Sequence, residues 1–438
     1  MIKYLFLFLF VFFSSLPGRS QDNLPFQQIR KYTHLQAPNR YDSSLKYLTN
    51  RLGPELHYLY PLYQAIGWEN KFKILLGEKN YYENFGELLS FTGDYGMAAA
   101  YSQKSYDPLP DSVVKDIAAQ VQVLKDIQYA PAKNSIISNA PYYRVIMINE
   151  AHAKPEHRAF TYSLLGDLYK EGFRYLAMEA LNNLSNQCLD SVNVFTGYYT
   201  NEPVAGELVR KALLLGYKLV AYEDTSGYRH TISQRDSLQA DVIYGIIKKD
   251  PSAKIVVHAG YAHISEEKIG DYIPMAAWFK KISGIDPFTI DQTSMTEGSN
   301  FEYGKWYYKY FTDKFSITIP SVIFQNKRPF DPLLGKGYDL MVVHPPAVYQ
   351  NNRPSWLSLD GERQPVLIQP TEQMLFLVQA YYDNEYDSDM ISLLVPADQT
   401  YIANKEGYYC LYLRKGKYKI ILRDISYKIL SAKDVEVK

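Results

Sequence analysis

Between residues 142 and 291, short apolar strands alternate with amphipathic helical runs, and this alternation constrains the chain more than any other feature. The strands read at 143–148, 175–178, 218–222, 254–258 and 288–290. Helical runs fill 156–171, 204–215, 234–249 and 266–282. Strands separated by helices are joined by crossovers, which sets them side by side and parallel beneath a helical cover. The expected fold class is therefore α/β, with a mostly parallel sheet covered by helices. A late apolar run at 339–344, closed by Pro345 and Pro346, is expected to rejoin the sheet after an aromatic-rich excursion at 300–335.

The flanks differ from this centre. Residues 1–20 have the shape of a secretory signal peptide: Lys3, an apolar run from Tyr4 to Phe13, then Pro17-Gly18-Arg19-Ser20, with cleavage expected before Gln21. About ten apolar residues are too few for the ~20 that a membrane span needs. The mature chain is expected to be exported, periplasmic or extracellular, with no integral membrane span.

Residues 21–140 read as a helical region. Leu45, Leu48 and Leu52 share one helix face by spacing, as do Val113, Ile117, Val121 and Leu124. The stretch 88–101 resembles one tetratricopeptide-type turn; such repeats need at least three copies, so it reads as a helical cap on the next domain. That domain, the α/β unit, is expected over 141–355. Residues 356–438 read as a small antiparallel β-sandwich, with strands at 374–380, 390–395, 408–414 and 418–422. Lys415-Gly416-Lys417 reads as a hairpin turn.

Composition removes several classes of function. With 47 Lys+Arg against 47 Asp+Glu, the chain lacks the basic surplus of a nucleic-acid binder. Two cysteines, Cys188 and Cys410, exclude a disulfide scaffold and a cysteine-rich zinc module.

Five of the eight histidines, His152, His157, His230, His258 and His263, fall in the α/β region. Glu150 and His152 follow directly on its first strand. Glu179 ends the second, and Glu223 and Asp224 end the third. His258 and His263 flank Gly260 at the end of the fourth. Ligands of an open parallel sheet bind at the carboxyl ends of its strands. Four strands thus deliver carboxylates and imidazoles to one edge.

Glu150 and His152 share a face of an extended strand end. Pro155 can open a helix with His157 in its first turn, where the dipole favours a neutral imidazole suited to act as base or ligand. Glu179 suits either orienting an imidazole or acting as the base. Gly260 lets the backbone pass close to a ligand. Arg235 suits either a clamp on an anionic group or a plain salt bridge. The expected catalytic set is Glu150, His152, Glu179 and His263. His157, Arg235, Glu223 and His258 are expected to bind substrate. His230 reads as solvent-facing, and His34, His57 and His344 as structural. There is no Gly-x-Ser-x-Gly elbow, which argues against a covalent acyl-enzyme.

Ile148-Asn149-Glu150-Ala151-His152, Pro155-Glu156-His157-Arg158 and Leu176-Ala177-Met178-Glu179 together resemble the opening of the erythromycin esterase-like and ChaN-like haem-uptake superfamily. There a Gly-Glu-x-His motif follows the first strand, a second His follows shortly, and a Glu ends the second strand. Gln234-Arg235-Asp236 resembles that family's Arg-bearing helix, and Gly260-Tyr261-Ala262-His263 its late Gly-x-x-His segment. The similarity covers roughly 140–300. Asn149 stands where the family has Gly, so its side chain is expected to narrow the pocket.

The esterase branch implies metal-free hydrolysis of a small-molecule substrate. In it His152 would be the base, supported by Glu150, Glu179 and His263, with no cofactor. The haem-uptake branch implies haem or iron binding without turnover. A related protease-like branch implies a divalent metal on a similar set. These residue types suit all three, since His and Glu both ligate metals and transfer protons. A non-catalytic surface module stands beside them. The favoured expectation is a secreted hydrolase acting on an ester or related bond.

Overall fold

The computed structural model describes residues 51–52, 55–182, 189–223, 230–299, 304–331, 337–369, 372, 376–401 and 409–438. Residues 1–20, His34, Leu45, Leu48, Cys188, Asp224 and residues 404–407 lie outside the described residues.

Nine strands build a central sheet: β1 (Ile127–Pro131), β2 (Val145–Glu150), β3 (Tyr175–Met178), β4 (Lys218–Ala221), β5 (Ile255–Gly260), β6 (Phe288–Asp291), β7 (Ser321–Gln325), β8 (Arg328–Pro329) and β9 (Leu340–Val343). Their order is β8–β7–β9–β6–β2–β5–β3–β4, and β1 also pairs with β7. From β9 to β4 the six strands are parallel. The late run at 339–344 does rejoin the sheet, as β9. The helical region read over 21–140 is interrupted, because β1 is drawn into the sheet by antiparallel pairing with β7.

Strand alternation sorts the core into two layers. Ile146, Ile148, Leu176, Met178 and Val256 face α7 (Glu156–Lys170) and α8 (Pro203–Leu215). Val145, Met147, Ala177, Ile255 and Val257 face α9 (Ile232–Lys249) and α10 (Met275–Ser283). Both faces are covered, so these strands read as nearly continuous apolar runs. The crossovers after β2 and β3 use the first face, and those after β4 and β5 the second. The connections on either side of β5 therefore diverge at its carboxyl end, the kind of place where open parallel sheets bind ligands. The run 266–282 becomes helical only at Met275, after Pro274; the preceding turn places Tyr272 beside His263.

The N-terminal helices α1 (Tyr60–Gly67), α2 (Glu69–Leu76), α3 (Glu78–Phe91) and α4 (Tyr95–Ser102) share the first-face core through Leu62, Phe85, Leu88, Leu89 and Ala98. Asp94 caps α4 by accepting from Met97 N–H at 3.3 Å. The helix pair at 88–101 is thus a cap on the α/β unit. Helix α5 (Asp111–Gln122) buries Ile117 against α11 (Gly304–Phe315), and α6 (Ala132–Asn139) follows directly on β1. Leu52 is not helical: Arg51–Leu52 pairs with Glu55–Leu56.

The C-terminal strands are β10 (Gln364–Ile368), β11 (Leu377–Tyr382), β12 (Asp398–Tyr401), β13 (Tyr409–Leu413), β14 (Gly416–Arg423) and β15 (Ile429–Val437). The sheet β12–β11–β14–β15 and the pair β10–β13 are antiparallel and share a core of Val378, Ala380, Leu411, Leu413, Ile420 and Leu422. The turn at 415–417 is not a hairpin. It carries the chain from one sheet to the other, because β13 pairs with β10 and β14 with β11 and β15. The run at 390–395 is not a strand but a short 3-10 turn, Ile391–Leu393. Among the described residues no helix is long and apolar enough to cross a membrane.

Candidate active site

Two side-chain clusters meet at the carboxyl edge above β5. The first is built on Glu150. The parallel register sets Ile148 beside His258 and Glu150 beside Gly260, which puts Glu150 and His258 on one face. His258 Nε2 lies 2.7 Å from Glu150 Oε2, and its Nδ1 lies 3.1 Å from Thr161 Oγ1. Arg158, in the first turn of α7, donates to Oε2 through Nε at 2.7 Å and to Oε1 through Nη2 at 2.8 Å. Its Nη1 reaches Glu202 Oε2 at 3.2 Å. Burial pushes the Glu150 carboxyl up, but Arg158 and His258 outweigh burial and hold it well below the usual carboxylate range.

His152 Nδ1 lies 3.1 Å from Glu150 Oε1. An ionised carboxylate only accepts, which assigns the proton to Nδ1 and the lone pair of the neutral ring to Nε2. The ring stacks on Tyr199 at 4.3 Å and meets Tyr261 edge-on at 5.1 Å between centroids. Burial opposes protonation of His152, yet the Glu150 hydrogen bond and the charge of Glu179 raise its pKa above the ordinary value.

The second cluster is built on Glu179, just beyond β3. Its Oε2 accepts Gly260 N–H at 2.5 Å, and its Oε1 accepts from Arg235 Nη2 at 2.9 Å. Arg235 also forks onto Glu223, with Nη2 to Oε1 at 2.7 Å and Nε to Oε2 at 3.1 Å. His263 Nδ1 lies 2.8 Å from Asp236 Oδ2, which also accepts from the Tyr272 hydroxyl at 2.6 Å. His263 Nε2 is 3.3 Å from Arg235 Nη1 and 3.9 Å from Glu179 Oε1. Burial raises the Glu179 carboxyl, but His152, His263 and Arg235 bring it down to about 2.

Gly260 joins the clusters. A Cβ at this position would stand 2.5 Å from His152 Cε1 and 2.8 Å from both His152 Nε2 and Glu179 Oε2. The N-terminal cap adds a wall: Glu83 on α3 accepts from the Tyr261 hydroxyl at 3.0 Å.

The structure thus brings Glu150, His152, Glu179 and His263 to one edge, with His258 bonded to Glu150, Arg235 bonded to Glu179, and Glu223 bonded in turn to Arg235. His258 is buried beneath Glu150 and acts as its partner rather than as a substrate contact. His157 departs further from expectation. It is fully buried, and its Nδ1 accepts Ala151 N–H at 2.9 Å, tying down the loop after β2. Burial, with His344 and Lys154 nearby, holds its pKa well below the ordinary value. Asn149 does not narrow the site. Strand alternation turns its side chain away from Glu150, and Nδ2 donates to Tyr261 O at 2.9 Å and Asp291 Oδ1 at 2.7 Å. It braces the loop that carries His263. His230 is exposed, His57 stacks on Tyr427 at 4.1 Å, and His344 is buried, as expected of them.

Sequence reasoning assigned no role to Arg158, Asp236, Tyr199 or the cap. Arg158 and Asp236 each stand next to a residue it did single out, at a helix start, which is a usable signal. Tyr199 and the cap carry none. Among the described residues no three His, Cys, Asp or Glu side chains gather to hold one ion. Both oxygens of Glu150 and one of Glu179 are turned to guanidinium groups, so this donor set does not fit a divalent-metal site. Compared with known family models, curated proteins and solved structures, the chain matches none of them.

Proposed function

We propose that the chain is a hydrolase in which His152 activates water for attack on an ester or related bond of a small-molecule substrate. The observation that carries this reading is the pairing of His152 Nδ1 with a carboxylate kept ionised by Arg158. Such a pairing fixes the ring and its tautomer and leaves Nε2 as a base. Nε2 has no hydrogen-bond partner among the described residues and stands over Gly260, opposite Glu179 Oε2. A water between them donates one proton to each atom and presents its lone pair to the substrate carbonyl. Proton transfer to Nε2 forms an imidazolium that Glu150 stabilises. Arg235 supplies fixed positive charge beside the same space, where an oxyanion develops. The family resemblance points the same way. With the leader segment, it describes an exported enzyme of the periplasm or extracellular space.

The test compares wild type with His152→Ala on a panel of esters, with chelator and with haemin. Chelator-insensitive hydrolysis lost in the variant supports the reading. Hydrolysis surviving in the variant overturns the role of His152. Haemin or metal binding without turnover in wild type overturns hydrolysis in favour of a binding protein.

A further inference from the structure

We propose that Glu87, on the N-terminal helical cap, is the proton donor to the leaving group, so that the cap completes the active site of the α/β unit. The inference rests on the hydrolytic reading above and adds to it the residue that makes poor leaving groups accessible.

Glu83 and Glu87 lie one turn apart on α3, on the same helix face. Glu83 accepts from the Tyr261 hydroxyl, and the Tyr261 ring meets His152 edge-on. Glu87 is buried, its Oε1 has no partner, and its carboxyl makes no hydrogen bond to any described residue. Its principal charged neighbours are His152 and Arg158. Both are committed elsewhere: Arg158 to Glu150 and Glu202, and His152 to Glu150. An ionised carboxylate here would be a buried charge with no bonded partner, so the neutral acid is favoured. Burial pushes the Glu87 carboxyl up to about 7, against the pull of His152 and Arg158. Glu150 and Glu179 are driven the other way by their guanidinium partners. Carboxyls pushed apart in this manner divide acid and base roles between them.

The step balances without an oxidant or cofactor. A bond forms between the water oxygen and the carbonyl carbon, and the bond from that carbon to the alkoxy oxygen breaks. The proton from water goes to His152 Nε2. The Glu87 proton goes to the departing alkoxide, giving the alcohol. Imidazolium and Glu87 carboxylate then cancel by proton transfer, which restores both groups.

The experiment uses the full chain with Glu87→Gln, which keeps shape and neutrality but cannot release a proton. Its probes are ethyl acetate, whose alkoxide needs a proton, and p-nitrophenyl acetate, whose phenolate does not. A general acid contributes typically ~10²–10⁴-fold, so kcat/KM for ethyl acetate is expected to fall by about 10² or more. That fall should exceed the loss on p-nitrophenyl acetate by at least about tenfold. Equal losses on both esters, or no loss, overturn the proposal while leaving hydrolysis intact. A wild type that hydrolyses neither ester overturns the hydrolytic reading and this inference with it. A second measurement needs no turnover: nitrogen NMR titration of the His152 ring. Ionisation of Glu87 at about 7 is expected to add a second step to the wild-type curve that Glu87→Gln lacks. Superimposable curves place Glu87 out of reach of His152 and overturn the proposal.

Discussion

His152 and Glu179, from the ends of two different strands, face each other across the bare backbone of Gly260. The point where a Cβ would sit is 2.8 Å from both His152 Nε2 and Glu179 Oε2. The two do not hydrogen-bond to each other, and each is held from behind: His152 by Glu150, Glu179 by Arg235. The gap over Gly260 is therefore a fixed geometric consequence of two separately braced side chains.

Gly260→Ala tests that relationship directly. The new methyl overlaps His152 Cε1 at 2.5 Å, so the imidazole must leave its place between Tyr199 and Tyr261. Overpacking of this kind typically costs about 1–3 kcal/mol. The expected outcome is a folded protein with a modestly lowered Tm and turnover reduced as far as in His152→Ala. Wild-type turnover in this variant would show that the gap is not used.

The pH dependence follows from the raised pKa of His152. A base must be neutral, so hydrolysis of p-nitrophenyl acetate, whose leaving group needs no proton from Glu87, should rise with pH through a midpoint above the ordinary value of about 6.5. Stability runs the opposite way. A group whose pKa is raised on folding contributes fully below its unfolded value, and that contribution is lost as pH rises through the folded value. Denaturant titrations of wild type against His152→Ala should show the difference shrinking from about pH 6.5 upward. A difference that grows with pH would contradict the geometry.

Arg158→Met should be among the most damaging single changes. It leaves Glu150 and Glu202, both buried, without their shared cation. Removing one partner from a buried ion pair costs typically about 3–5 kcal/mol. The depressed Glu150 carboxyl contributes stability above its unfolded value, about pH 4.5, and that contribution is lost as pH falls through the folded value. Acid unfolding monitored by circular dichroism should lose this limb in the variant. Unchanged acid unfolding would show that Arg158 does not hold Glu150 ionised.

Glu207 ties the C-terminal sandwich to α8. Fully buried, it faces Arg210 at 3.1 Å, Arg363 at 3.3 Å and Arg414 at 3.2 Å, and accepts from the Tyr382 hydroxyl at 3.0 Å. Wild type is expected to unfold in one calorimetric transition. Glu207→Gln leaves the buried Arg363 unneutralised, and a loss of about 3–5 kcal/mol should separate the sandwich as its own transition. Two transitions already present in wild type would refute the tie.

Local periodicity by itself determined the strand–helix alternation and hence the parallel sheet. Because parallel strands end at a common edge, it also determined that Glu150, His152, Glu179 and His263 would share one edge. Those inferences need only neighbours in sequence and one rule of topology. The direction of Asn149 lay within the same reach, since a period of two sends it opposite to Glu150. What tertiary structure alone decided is pairing across distance. Arg158 meets Glu202, 44 residues on, because α7 and α8 pack on the same face of the sheet. Lys415-Gly416-Lys417 joins two sheets rather than two paired strands, because register depends on which other strand is available. Glu83 of α3 meets Tyr261, whose ring borders His152, only because the cap shares its core with the first face. Hydrophobic burial is non-directional: it tells a helix to cover a sheet but not which side chains it will bring to the edge.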